Sequence, residues 1–112
     1  MFPRNYKLPL RSIPEFFDEA QKFQSGFVTV FFRAEHPTQV VVIVPKRVAP
    51  LATHRNALQR KFYAALMTQM NTLEAQRVQL CIVVQRKITS EQVQNSIFQL
   101  IKDLQKRILS VQ

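Results

Sequence analysis

Apolar residues recur along this chain with different spacings, and each spacing predicts a different element. From Ser12 to about Gln24–Gly26 they fall at Ile13, Phe16, Phe17, Ala20 and Phe23, which is helical spacing. Ser12 and Glu15 stand at the N-cap and capping-box positions of that predicted helix. Gly26–Arg33 (GFVTVFFR) is dense in aromatic and β-branched residues and predicts a strand. Phe27, Thr29, Phe31 and Arg33 share one of its faces, and Val28, Val30 and Phe32 the other. Ala34–Gln39 reads as a turn holding His36, and Gln39–Val44 as a returning strand, the hairpin partner of the first. Pro45 has no N–H for a continuing ladder, so pairing weakens there, with room for a short extra strand around Lys46–Val48.

Ala52 or Thr53 is placed to cap a helix running to about Asn71 on a stripe of Leu58, Phe62, Ala65, Leu66, Met70 and Leu73. At about 100° per residue, Asn56, Gln59, Arg60 and Tyr63 share an adjacent flank, while Lys61 points elsewhere. Arg55 lies over the first turn, where it can emerge past the sheet edge. The unbroken apolar run within Arg77–Gln85 predicts a central strand. Thr89 with Gln92 forms a capping box for a last helix striped by Val93, Ile97, Leu100, Ile101, Leu104 and Ile108. Lys102, Lys106 and Arg107 fall in its final turns, where they complement the helix dipole. Met1–Arg11, basic and broken by Pro3 and Pro9, reads as an extended arm. The predicted order is α–β–β–(β)–α–β–α: one α+β domain spanning residues 1–112, a two-layer sandwich with helices on a small mixed sheet.

Charge sharpens this picture. The 112 residues carry a net charge of +9 and a pI near 10.5, which predicts a phosphate-rich partner. The asymmetry is local: between His36 and Leu73 there is no Asp or Glu, against Lys46, Arg47, Arg55, Arg60 and Lys61. Thr53–Asn56 at a helix start, with these cations close in sequence, makes a candidate phosphate site. Solvated surface charge would account for Lys61, but not for the missing acids. Arg77, Arg86 and Lys87 read as ordinary strand-end charges. Phe16, Phe17, Phe27 and Phe31 could stack single-stranded bases, although aromatics at such spacings are more often core and at least half of these should be.

The remaining chemistry is sparse. Cys81, alone in the run QLCIVVQ, can form no internal disulfide and reads as a small core residue. No zinc set or nuclease-type acidic pair is present, and the acids fall mostly on helix surfaces or ends. No metal site and no catalytic residue are therefore assigned to the protein. The N-terminal stretch lacks the long apolar core of a signal peptide or membrane anchor, and a reducing cytoplasm fits the cysteine usage.

The element order and motifs resemble the protein subunit of bacterial ribonuclease P over nearly the whole chain. The matching pieces are Leu10 to Phe16, Val42–Val48 (VIVPKRV), His54-Arg55-Asn56 with Arg60, Leu80–Lys87 and Thr89–Leu104. Ala57, Gln59 and Tyr63 stand where that family usually has Arg, Lys and Arg, and Ala49-Pro50-Leu51 replaces its glycine and basic residue. The resemblance implies a left-handed βαβ crossover, against the general right-handed rule. It also implies a cofactor for a catalytic RNA that uses Mg2+ to cleave precursor tRNA at its 5′ end. Lys46, Arg47, His54, Arg55, Asn56, Gln59, Arg60 and Lys61 would face the catalytic RNA, and Phe16, Phe17 and Phe31 the 5′ leader. The implied partners are ribonuclease P RNA and precursor tRNA, with no membrane and no protein partner identifiable. Two other readings remain open at this point: a non-catalytic RNA-binding module of ribosomal or chaperone type, and a metal-free ribonuclease using His54 as base.

Overall fold

The computed structural model describes residues 3–35 and 37–111, so the turn position of His36 lies outside it. A four-stranded mixed sheet is built from β1 (Gln21–Ser25), β2 (Val28–Arg33), β3 (Gln39–Ile43) and β4 (Gln79–Val84), in the spatial order β1-β2-β4-β3. β2 pairs antiparallel with β1 and with β4, while β3 runs parallel to β4. The helices are α1 (Phe16–Glu19), α2 (Ala52–Met67), α3 (Met70–Gln76) and α4 (Ser90–Val111). The α+β class with a mixed sheet is thus as the sequence implied, and four details differ.

The first helix is only four residues long. Its expected second half is strand β1, because Phe23 and Ser25 alternate inward with Gln21, Lys22 and Gln24 outward. Gly26, at φ 58°, opens a two-residue turn with Phe27, the place where a type II′ hairpin takes glycine. Phe23 gains an edge-to-face partner in Phe32 at 5.7 Å, which a helix would have denied it. The Ser12–Glu15 capping box does not form: Ser12 closes a 3-10 turn (Leu10–Ser12), and Glu15 caps α1 without a side-chain bond.

Second, β3 is not the hairpin partner of β2. β4 lies between them, since its fully apolar run can be buried on both faces while β3 alternates as an edge strand does. Lys46–Val48 forms a turn, so the additional strand of the sheet is β1. Third, the long middle helix is two. Neither Ala52 nor Thr53 caps it, since the N-cap is Leu51, and it stops at Met67, where Thr68 Oγ1 donates to the Ala65 carbonyl at 2.7 Å. α3 then ends on Arg77 in the left-handed region at φ 54°.

Fourth, the N-terminal segment is docked. Leu8 is buried and its N–H donates to the Val40 carbonyl at 2.9 Å on the outer edge of β3. Two residues on, the same edge is closed by α2: the Val42 N–H donates to Tyr63 Oη at 3.1 Å and Gln59 Nε2 donates to the Val42 carbonyl at 3.2 Å. An otherwise open strand edge is thereby protected from pairing with other chains.

The main core lies between the sheet and α2, α3 and α4, with Val30, Phe62, Leu66, Leu80, Ile82, Ile97 and Leu104 at its centre. The predicted stripes pack there, with Met70 and Leu73 supplied by α3 and with Leu58 and Ile108 only partly buried, and the Thr89–Gln92 capping box forms with bonds of 2.9 and 3.4 Å. α4 continues to Val111, so Arg107 is not in the last turn and instead stacks over Phe23, 4.6 Å from the ring centre. Ser25 Oγ ties β1 to α4 through Asp103 at 3.0 Å. The opposite sheet face carries a smaller cluster of Leu8, Phe16 and Cys81 under the N-terminal segment. Burial pushes the Cys81 thiol up to about 12, as expected for an inert core cysteine.

Candidate nucleic-acid interface

The cations anticipated around α2 divide between two flanks of that helix. His54, Ala57, Leu58 and Lys61, at helical spacing, line one side of a groove with the loop before the helix and the β4–α4 connection. Asn56, Gln59, Arg60 and Tyr63 occupy the flank toward β3. Two of these four work inside the fold: half-buried Gln59 and Tyr63 hold the sheet edge, so Gln59 is not free on the surface where the resemblance places it. Asn56 and Arg60 are exposed, and neither has a hydrogen bond or ion pair among the described residues.

Arg55 is half-buried. Its Nη1 donates to the Ala49 and Pro50 carbonyls at 3.0 and 2.8 Å, fastening the loop that precedes α2 onto its first turn. Instead of projecting past the sheet edge, it fixes the loop carrying Lys46 and Arg47. Arg47 is itself tethered: Nη2 meets Gln85 Oε1 at 2.5 Å, and Gln85 Nε2 donates to Thr29 Oγ1 at 3.0 Å. Lys46 is exposed. The loop–helix unit therefore presents Lys46, Asn56 and Arg60 outward on a backbone that Arg47, Arg55 and Gln59 hold rigid. Sequence reasoning found the charges but not this division, because which cation meets a carbonyl depends on the loop path.

The aromatic candidates are layered. Phe16 is 0% exposed and packs with Leu8 and Cys81, so its ring is foundation and not surface. Arg33 covers that ring at 5.4 Å while pairing with Glu19 at 3.1 Å and donating to Gln79 Oε1 at 2.8 Å. Phe17 is 47% exposed and meets Phe16 and Phe31 edge-to-face at 5.4 and 5.1 Å. Lys22 reaches over Phe31 at 5.8 Å, a cation that sequence reasoning did not connect with this patch. Because α1 is so short, Phe31, Val41, Ile43 and Val83 remain only half-buried beside it, on the sheet face away from α2.

Among the described residues no cluster of His, Cys, Asp or Glu could hold a metal ion, and no helix is long and apolar enough to cross a membrane. A basic loop and helix thus lie on one side of the sheet, and a short aromatic helix on the other. The family model described as Ribonuclease P matches residues 2–108. The chain belongs to the ribonuclease P family. That makes it a protein subunit of ribonuclease P, an enzyme of tRNA processing. The ribonuclease P protein from Thermotoga maritima has the same fold: TM-score 0.74 at 18% identity, over 87% of this chain and 96% of that one. The same protein in complex with 1-(4-fluorophenyl)-2-thiourea superposes with TM-score 0.71 at 18% identity, over 86% and 97% of the two chains. No curated protein sequence matches.

Proposed function

We propose that this ribonuclease P subunit docks onto the catalytic RNA through the Lys46–Lys61 surface and receives the 5′ leader of precursor tRNA on the Phe17–Phe31 patch. The observation that carries this reading is the acid-free stretch from His36 to Leu73, whose exposed Lys46, Asn56 and Arg60 sit on a braced loop and helix. Such a surface neutralises phosphates without needing to read sequence. The phosphodiester chemistry belongs to the RNA, with Mg2+ held there. The protein's part is to bring cations and an aromatic face to a polyanionic substrate, lowering the metal concentration at which the complex works. Phe16 supports the leader patch from beneath, and Lys22 adds a cation at its rim. Residues 1–112 act as one RNA-binding domain in a cytoplasmic ribonucleoprotein.

The test is cleavage of precursor tRNA by a ribonuclease P RNA at low magnesium, with and without the protein. Stimulation by the complex, with no cleavage by the protein alone, is the expected outcome. Tight RNA binding without stimulation would instead make the chain a general RNA-binding module. Cleavage by the protein alone, abolished in His54→Ala, would place the chemistry on the chain.

A further inference from the structure

The flank of α2 turned away from β3 borders a groove of about 350 Å³, at the lower end of ligand-site sizes, roughly 300–1,000 Å³. Its wall is apolar: Val48, Pro50, Ala57, Leu58 and Ile88. Its rim is cationic, with Lys61 from α2 and Lys87 from the β4–α4 connection, and exposed His54 beside them. No carboxylate contributes to the lining. The small side chain at Ala57 leaves the space open. An RNA duplex laid across this surface could set phosphates against the two lysines, but its stacked bases would leave the apolar wall unfilled.

We propose that the groove takes one unstacked nucleotide of the RNA docked on α2, the base lying against Pro50, Leu58 and Ile88 and its phosphate held by Lys61 and Lys87. This deepens the ribonuclease P reading and rests on it. The arrangement fits a single-stranded nucleotide on two counts: the cationic rim complements a phosphate, and the apolar wall offers the non-specific packing that any base accepts. It also gives Lys87 a role that its position at a strand end does not disclose.

The test is titration of the full chain against ribonuclease P RNA by fluorescence anisotropy across a salt series, using the wild type, Ala57→Phe and Lys87→Ala. Ala57→Phe fills the groove without changing charge on a half-exposed helix position, and circular dichroism reports whether it folds. The expected result is binding weaker by about fivefold or more at an unchanged salt slope. Lys87→Ala is expected to lower the slope by about 0.7–0.9, one phosphate contact. Folded Ala57→Phe binding as tightly as wild type, or Lys87→Ala with an unaltered slope, overturns the groove while leaving the ribonuclease P reading intact. A wild-type chain that fails to bind this RNA overturns both.

Discussion

The α2 surface and the Phe17–Phe31 patch sit on opposite faces of one sheet and are built on contrary plans. On α2, the charged residues that sequence alone points to are partly absorbed by the fold: Arg55 holds loop carbonyls, Arg47 holds Gln85, and Gln59 holds the edge of β3. On the patch, one aromatic ring is absorbed so that another can be displayed, Phe16 fully buried beneath half-exposed Phe17. In both places an exposed side chain rests on a neighbour that is held inside the fold. The difference lies in how each should respond to conditions. The RNA contacts proposed for Lys46 and Arg60 should weaken as salt rises, whereas the stacking proposed on Phe17 should not.

That contrast can be broken most forcefully at Phe16. Phe16→Ala should destabilise the protein by about 3–5 kcal/mol in denaturant titration, as a fully buried ring does. A loss near zero would return Phe16 to the surface. Its neighbour Cys81 gives the next effect. The folded thiol is held up to about 12, above its ordinary value of 9.0. Its contribution is therefore complete below pH 9 and is lost as pH rises toward 12, up to about 4 kcal/mol across that window. Cys81→Ala should lose correspondingly less stability than wild type over the same range.

Phe17→Ala should cost about 1–2 kcal/mol of stability, for its two edge-to-face contacts, and weaken leader binding by about 1–3 kcal/mol. Tyr63→Phe removes the acceptor of the Val42 N–H and should cost about 1 kcal/mol of stability, with the salt slope of RNA binding unmoved. Smallest in stability is Arg60→Ala, within about 0.5 kcal/mol, yet it should reduce the salt slope by about 0.7–0.9. If Tyr63→Phe changed the slope and Arg60→Ala did not, the two sides of that flank would have been assigned the wrong way round.

Much of this was legible in the chain. The unbroken run at Leu80–Val84 announced a central strand, and Thr89 with Gln92 announced a helix start, because each signal is local and strong. The region before Gly26 misled because Phe16, Phe17, Ala20 and Phe23 fit a helix until the pairing partner of Phe23 is known, and that partner is supplied only by β2. Strand order was equally hidden: nothing local tells β3 that β4, still to come in the chain, will displace it from β2. At the site, the location of the basic surface followed from missing acids, but the internal duties of Arg55 and Gln59 follow from carbonyls brought near by folding.

The central claim, that one surface meets the catalytic RNA and the other the precursor's leader, is tested most directly by the affinity that a leader adds. Precursor tRNA with and without its 5′ leader would be titrated against ribonuclease P RNA assembled with wild type, Phe17→Ala or Arg60→Ala. The leader should add affinity with wild type and with Arg60→Ala, and little with Phe17→Ala. A leader contribution that survives Phe17→Ala and disappears in Arg60→Ala would contradict the account.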